Sequence, residues 1–180
     1  ELGVARIVPI TAERTVSHEV ELSVKVEGRN PTFPRGMVRK PGRPIPAGSV
    51  VKVKDRDGRL IGQGFYNPRA AMALHMLTWR RDQDVDLDFL TGRLTEAVRL
   101  RRQVLRLDEI TDAYRLVHGD GDGLPGLVVD RFGPILVVEL RTLGMQRFID
   151  GLGRVLKRLV PSKGMLLTVS AKARMREGLE

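Results

Sequence analysis

The chain of 180 residues has no cysteine, only three histidines and few aromatic residues, 4% of the total. Without cysteine it can form no disulfide, thiolate nucleophile or thiolate metal site, which is typical of a cytoplasmic protein. His18, His75 and His118 are far apart in sequence and argue against a zinc or iron site. No apolar run approaches the roughly 20 residues of a membrane span, and Glu1 to Ile10 carry no secretory signal. The sequence therefore predicts a cytoplasmic protein that does not bind a membrane.

Basic residues are what the chain has in excess. Its formal net charge is +9. Between Lys25 and Arg81 there are thirteen Lys or Arg and three acidic residues, a local balance of +10, whereas the rest of the chain is close to neutral. A positive field attracts polyanions, most often nucleic acid. This concentration of charge favours an RNA-binding surface, and a solvated basic surface without a ligand is the alternative.

The first half of the chain is predicted to form a small β-barrel. Apolar and polar residues alternate from Val20 to Val26, which indicates a half-buried strand. Asn30 to Gly48 contains five prolines and is predicted to be irregular, because proline lacks the amide donor of a strand ladder. Val50 to Tyr66 is predicted to be a hairpin around Asp57-Gly58, and Ala71 to Leu77 a further strand. Closely spaced strands, with glycines where a sheet must bend, favour a barrel.

A helix is predicted next, because the apolar spacing changes to three and four after Asp86. Asp86 or Asp88 is suited to cap its start. Its predicted inner face consists of Leu90, Leu94, Ala97, Val98, Arg101, Val104 and Leu105. Its outer face carries four arginines that we expect to be solvated: Arg93, Arg99, Arg102 and Arg106.

The second half is predicted to be a mixed α/β unit. Three strands are expected at 114–117, 127–130 and 135–140, followed by an amphipathic helix from Met145 to Leu159 that Pro161 ends. A further strand is expected at 165–169. The remaining residues, 170–180, are short and highly charged, and the final Leu-Glu is compatible with a cloning remnant.

Gly121 to Gly126 matches the pattern G-x-G-x-x-G letter for letter. A dinucleotide fingerprint must open a helix, whereas the residues that follow, Leu127 to Asp130, are predicted to be a strand. A calcium loop is excluded because Leu124 stands where an oxygen ligand is needed. The pattern therefore predicts a glycine-rich turn between antiparallel strands. The residues by themselves indicate a basic binding module without an active site.

Two longer stretches are more specific. KVKDRDGRLIGQGFYNP (52–68) closely resembles the PUA-like domain at the front of one enzyme family. That family is the class I S-adenosylmethionine-dependent methyltransferases that make 5-methylcytosine in large-subunit ribosomal RNA. AYRLVHGDGDGLPGLVVDRFG (113–133) is similar to the hairpin that opens the same family's central domain. Asn30 to Phe33 departs from a His-Pro-Trp-like run common in the family, and His75 stands where arginine is common.

The resemblance implies an α+β chain in three parts. These are a PUA-like β-barrel over residues 1–82, a connecting helix over 83–111, and a partial central domain over 112–180. The central part is expected to be an incomplete EEHEE-like unit of hairpin and helix. Family members continue into a Rossmann-like domain that binds S-adenosylmethionine and carries a catalytic cysteine. Neither is present here, so we expect no cofactor and no methyl transfer for this chain alone, and S-adenosylmethionine for the full-length parent.

The candidate RNA-binding residues are Arg35, Arg39, Lys40, Lys52, Lys54, Tyr66, Asn67 and Arg69. The loop cations can follow a phosphate backbone, and the two lysines alternate on one strand face. Tyr66 could stack on a base at the edge of this patch. The alternative is that Tyr66 packs inside the barrel and the lysines are only solvated.

The predicted function is the RNA-binding N-terminal portion of an rRNA cytosine methyltransferase, which positions ribosomal RNA for a catalytic domain outside this chain. A stand-alone RNA-binding or ribosome-associated module without catalysis is the first alternative. A barrel that serves protein–protein contacts is the second. The oligomeric state is open, with a homodimer as one alternative.

Overall fold

The computed structural model describes residues 18–179 and has an α+β fold, so the predicted fold class is confirmed. Within this range a five-stranded sheet is followed by a helix and a four-stranded sheet. None of the described helices has both the length and the apolar character needed to cross a membrane. The predictions for Glu1 to Ile10 and for Glu180 lie outside the described residues.

The predicted hairpin is the most regular part of the first sheet. Strands β3 (Ser49–Lys54) and β4 (Leu60–Tyr66) pair antiparallel. In the turn, the carboxylate of Asp55 accepts hydrogen bonds from the backbone N–H groups of Asp57 and Arg59, at 3.1 and 3.0 Å. Burial opposes the charge of Asp55, but these bonds and the Arg59 guanidinium outweigh it and keep its pKa below the usual value. A buried carboxylate thus orders the turn.

The sheet is closed into a barrel by the segment before β3. Strands β1 (His18–Glu21), β2 (Thr32–Pro34) and β5 (Met72–Thr78) complete the order β1-β3-β4-β5-β2. Leu22 and Val38 then form a bridge that joins the β1 edge to the segment following β2. The strand predicted at 20–26 is therefore shorter than expected, because the chain turns at Leu22 and Ser23 from β3 to the segment that follows β2.

Two glycines of β4 allow β5 to approach closely. A side chain at Gly62 would collide with the carbonyl of Thr78, and one at Gly64 with the carbonyl of His75. The pairing of β4 with β5 shifts its register between Gln63 and Gly64. Glycine is required at these positions because the backbones of two strands meet where the sheet bends.

Helix α1 (Leu87–Arg99) begins at the predicted cap, since the Asp86 side chain accepts a hydrogen bond from Phe89 N at 2.8 Å. Its buried residues are Leu90, Leu94, Ala97 and Val98, as predicted. The expected continuation of the buried face is wrong: Val104 and Leu105 are 54% and 51% exposed. The reason is a π-helical turn at 100–104, which changes the angular spacing and rotates these residues away from the core.

The second sheet has the order β6-β7-β8-β9. Its strands lie where they were predicted: β6 (Ala113–His118), β7 (Leu127–Phe132), β8 (Ile135–Leu140) and β9 (Gly164–Val169). The first three are antiparallel and β9 is parallel to β8, so the element order is three strands, helix, strand. A parallel pair requires a crossover, and the helical segment between β8 and β9 provides it.

That helical segment is broken in two, in contrast to the single helix predicted. Helix α2 (Leu143–Gln146) is capped by Thr142, and helix α3 (Ile149–Leu159) starts after Arg147 and Phe148. A side chain at Gly144 would collide with the Phe65 ring of β4, so α2 lies directly against the barrel. The break allows α2 to pack on the barrel while α3 packs on the second sheet and α1.

Helix α4 (Ala171–Glu177) occupies the charged segment for which no element was predicted. Ser170 caps it, accepting a hydrogen bond from Ala173 N at 3.2 Å, and Gly178 ends it with φ +72°. Both are ordinary helix boundary signals. Without an apolar stripe of its own, the segment gives no periodic signal that identifies a helix.

The barrel and the second unit share one large hydrophobic core. Phe65 and Leu77 belong to barrel strands, yet they pack with α1, α2, α3 and the second sheet and not with the barrel interior. The rings of Phe65 and Phe148 have centroids 6.1 Å apart. A separate core, built around Val51, Val53 and Leu74, fills the barrel. The helix predicted as a connector is therefore an integral part of the second unit's core.

Candidate nucleic-acid interface

The two lysines predicted to bind RNA lie on the outside of the barrel. Val51 and Val53 are 1% and 0% exposed, so the alternation predicted for β3 is confirmed. Lys52 and Lys54 project outward opposite Glu19 and Glu21 of β1, and Lys54 Nζ lies 2.6 Å from a Glu19 carboxylate oxygen. Arg39 forms an ion pair with Glu21 at 2.8 Å. We call Arg39, Lys40, Lys52 and Lys54, with these two glutamates, the outer face.

Arg35 and Arg69 form a separate corner of the barrel. The Arg35 guanidinium approaches the carbonyl of Arg69 at 3.5 Å, and Arg35 N donates to Ala71 O at 2.8 Å. Both side chains are exposed. They are therefore available to a ligand, but the structure divides the predicted cations between two places.

Tyr66 and Asn67 are the exceptions among the predicted residues, because both are buried. Tyr66 is 5% exposed and packs in the barrel core, and this burial raises the pKa of its hydroxyl. Asn67 is 4% exposed. The prediction that they contact RNA is corrected on this ground, since neither side chain reaches the surface.

Asn67 has a structural role instead. Its side-chain amide donates to the backbone carbonyl of Glu177 at 2.9 Å and to the Glu177 carboxylate at 3.0 Å. The same carboxylate accepts a hydrogen bond from Leu143 N at 3.4 Å. We call this connection between β4, α2 and α4 the Asn67–Glu177 clasp.

Three of the four arginines predicted to be solvated on the helix form ion pairs. Arg99 pairs with Glu96, and Arg106 with Glu109. Arg102 pairs with Asp108 at 2.7 Å and donates to Leu159 O at 2.9 Å, so it also holds the end of α3. Its substitution would disturb the fold, which makes it unsuitable as a probe of RNA binding.

Arg101, predicted on the apolar face, forms the least exposed ion pair among the described residues. It lies 2.6 Å from Asp122, and the two side chains are 14% and 9% exposed. Asp122 also accepts a hydrogen bond from His118 N at 2.6 Å. The glycine-rich loop therefore contains a carboxylate that fastens it to the end of α1.

The glycine-rich loop has the context predicted for it, a short 3-10 turn that leads into β7. Gly123 has φ +67°, and a side chain there would collide with the Arg93 guanidinium. Arg93 also lies over the Phe89 ring, 5.1 Å from its centroid. Gly123 of the G-x-G-x-x-G pattern thus leaves room for the Arg93 guanidinium.

Two clefts that were not predicted meet at Trp79. The first, the hairpin cleft, has a volume of about 450 Å³ and includes Lys25, Arg59 and Arg81 in its lining. The second, the helix cleft, has a volume of about 720 Å³ and lies between the barrel, α1 and the glycine-rich loop. Its basic lining residues are Arg29, Arg80, Arg93 and Arg99. The sequence feature that could have indicated these clefts is the single tryptophan of the chain, directly before Arg80-Arg81.

Comparison with known proteins identifies relatives of both units. Residues 22–79 match the model of the PUA-like domain family. The chain is 32% identical over 148 residues to ribosomal RNA large subunit methyltransferase I of Erwinia tasmaniensis, covering 82% of this chain and 37% of that protein. The protein of the same name from Shewanella denitrificans is 30% identical over 155 residues, covering 86% and 39%. The chain thus spans less than two fifths of the length of these relatives and is homologous to that part of them.

Solved structures show the same fold. A SAM-dependent methyltransferase from Streptococcus mutans superposes with a TM-score of 0.60 at 14% identity, covering 71% of this chain and 34% of that one. A methyltransferase complexed with SAH gives a TM-score of 0.61, also at 14% identity, and covers 71% and 33%.

Proposed function

We propose that this chain, homologous to part of the ribosomal RNA large subunit methyltransferases, is the RNA-binding portion of such an enzyme. It binds ribosomal RNA and positions it for a catalytic domain outside the chain. The observation that carries the proposal is the 32% identity over 148 residues, which spans the PUA-like domain and the second unit together. A shared barrel alone would fit many RNA-binding proteins, whereas two units in the same order favour this enzyme class.

The finer parts of the proposal concern the parent protein. Its methyl donor is S-adenosylmethionine, its target is C5 of a cytosine in large-subunit ribosomal RNA, and it acts in the cytoplasm. The chain divides into a barrel to about residue 82, a helical segment to about residue 111 and a partial central domain. The match of the PUA-like family to residues 22–79 supports the first of these boundaries.

The proposed contacts are the members of the predicted set that are not buried: the exposed Arg35, Arg39, Lys40 and Arg69, and the half-buried Lys52 and Lys54. Long cations on an outer sheet face and on loops can neutralise phosphates without reading sequence. Glu19 and Glu21 reduce the net charge of the outer face, but ion pairs between exposed side chains contribute only about 0–1 kcal/mol. A phosphate can therefore replace the glutamate as the partner of Lys54 or Arg39.

The experiment is the salt dependence of RNA binding. For the chain and a ribosomal RNA fragment, the dissociation constant is measured by anisotropy at several salt concentrations. Lys52→Glu with Lys54→Glu should weaken binding about tenfold and lower the slope of log affinity against log salt by up to about 1.4, since each phosphate contact contributes about 0.7.

The matched control is Arg154→Glu with Lys157→Glu, two exposed residues of α3 that line neither cleft. It changes the net charge equally and should leave the slope almost unchanged. Equal losses from the two double variants would mean that only overall charge matters. An undetectable interaction at low salt would refute the RNA-binding function and favour a role in protein contacts.

A further inference from the structure

Trp79 lies at the junction of the two basic clefts. It directly follows β5, packs partly against the barrel core and lines both the hairpin cleft and the helix cleft. The cleft volumes, about 450 and 720 Å³, fall within the range of roughly 300–1,000 Å³ typical of ligand sites. An aromatic residue therefore separates two concave spaces that are each large enough for a nucleotide.

The backbone around Trp79 is held from both sides. Glycine at position 62 lets β4 approach the chain at Thr78 and Trp79 without a side chain between them. Thr78 Oγ1 accepts a hydrogen bond from Arg80 N at 3.1 Å, and Gln63 Nε2 donates to Gln83 O at 2.7 Å. These bonds fix the segment that carries Trp79, Arg80 and Arg81, so a stacking partner would meet a prearranged surface.

Positive charge flanks Trp79 in both clefts, and part of it has no close acidic partner. Within residues 18–179, no carboxylate lies within 4.0 Å of a charged nitrogen of Lys25, Arg29 or Arg81. The clefts also have acidic lining residues: Glu27 in the hairpin cleft, and Glu96, Asp120 and Asp122 in the helix cleft. Glu96 pairs with Arg99, and Asp122 with Arg101, which lies outside the cleft lining. The two linings together have seven basic and four acidic residues, so the surface around Trp79 keeps a net positive charge that is suited to an anion.

We propose that a single-stranded segment of RNA crosses Trp79, with one base stacked on the indole and the neighbouring phosphates bound in the two clefts. Arg81 and Lys25 bind the phosphate on the hairpin side, and Arg29 and Arg80 the phosphate on the helix side. This rests on the proposed RNA-binding function and assigns it a site that none of the originally predicted residues line. Aromatic rings beside cationic grooves bind single strands because every base has a face that can stack.

A single strand fits this site better than a duplex or an acidic peptide. The bases of a duplex are stacked on one another and do not expose a face to a concave cleft. An acidic peptide would use the cations but has no group that requires the indole. Only a single strand offers both phosphates for the cations and a free base for the indole, so one binding assay can distinguish the three ligands.

Trp79 is the only tryptophan of the chain, so its fluorescence reports on the site directly. The full chain is titrated with a single-stranded oligoribonucleotide, with a duplex of equal length and with polyglutamate of equal charge, while anisotropy of labelled RNA measures binding independently. The single strand should quench Trp79 emission along a curve that coincides with its anisotropy curve. The duplex and polyglutamate should quench weakly or not at all.

Trp79→Ala should weaken single-strand binding by about 5- to 150-fold, the range for one stacked base. Trp79→Phe keeps a stacking ring and should retain most of the affinity. Circular dichroism checks that Trp79→Ala folds. If it does not fold, the deciding measurements are the fluorescence quenching of the unmodified chain and the affinity of Trp79→Phe, measured by anisotropy.

Single-stranded RNA that binds by anisotropy without changing Trp79 emission would overturn the site but leave the RNA-binding function intact. Equal quenching by polyglutamate would also overturn it, in favour of an acidic protein segment. Absence of RNA binding in both assays would refute the proposed function itself.

Discussion

The outer face of the barrel and the two clefts at Trp79 are both basic, but they are built differently. The outer face consists of neighbouring strands, and its cations stand opposite Glu19 and Glu21. The hairpin cleft is lined by barrel residues, whereas the helix cleft forms where the barrel meets α1 and the glycine-rich loop, and both include Trp79. A convex, partly neutralised face favours loose contact with phosphates, whereas a concave one favours contact with a base. The same excess of charge can therefore serve two kinds of recognition.

The largest effect should come from reversing one cation in each cleft. Arg29→Glu with Arg81→Glu should weaken single-stranded RNA binding on the order of 100-fold, because two hydrogen bonds to phosphate are lost at about 1.5 kcal/mol or more each. The comparator is the outer-face pair Lys52→Glu with Lys54→Glu, with its smaller expected loss of about tenfold. Anisotropy at one salt concentration ranks the two variants. A larger loss for the outer-face pair would reverse the comparison.

Breaking the Asn67–Glu177 clasp, which includes no residue of the outer face and no lining residue of either cleft, should lower the stability of the chain. Asn67→Ala leaves the buried Glu177 carboxylate without its side-chain partner, and should lower the free energy of unfolding by about 1–3 kcal/mol. Urea denaturation measures this loss. Asn30→Ala, the same substitution at the exposed asparagine, should change it by less than about 0.5 kcal/mol. Equal stabilities of the two variants would show that the clasp contributes nothing.

The smallest expected effect is a pH dependence from His75, which lies in β5. Neither ring nitrogen has a hydrogen-bond partner among residues 18–179, and burial lowers the pKa of the imidazole below 6.5, although Glu177 and Asp120 act in the opposite direction. Because the unfolded chain takes up a proton near pH 6.5 and the folded chain does not, stability is complete above that pH. The free energy of unfolding should decrease as the pH is lowered below about 6.5, by at most about 1.4 kcal/mol per pH unit.

His75→Gln removes the titration and keeps a polar side chain. Urea unfolding at about pH 7.5 and about pH 5.5 should show a larger loss for the native chain than for this variant. Identical losses would mean that His75 takes up its proton as easily in the folded state as in the unfolded one.

Much of the fold could be predicted because its signals are local. The Asp57-Gly58 turn, the alternation at Lys52 to Lys54 and the Asp86 cap each depend on residues within a few positions of one another, and the structure has all three. The π-helical turn that exposes Val104 and Leu105 has no such signal. Apolar spacing assumes a regular helix, so the prediction failed where the helix widens.

The candidate site was less predictable because it depends on distant residues. Asn67-Pro68 has the composition of a surface turn, and nothing near it in sequence indicates that Glu177 will cover it. Trp79 was available in the sequence, but the helix cleft beside it requires the glycine-rich loop and α1 to dock against the barrel. Charge composition selected a region that contains the basic residues of the outer face and most of those of the clefts, without distinguishing a face from a cleft.

The Asn67–Glu177 clasp also has a consequence for the order of folding. Its two partners are 110 residues apart, and closing so long a loop costs conformational entropy that local contacts do not. The barrel hairpins and the β6–β8 strands pair over short separations and can form as the chain leaves the ribosome, whereas the clasp must wait for α4. Until then the amides of Asn67 and Leu143 have only water as a partner at this place. The clasp therefore depends on a segment that leaves the ribosome later than Phe65 and Phe148, whose rings already join the same two units.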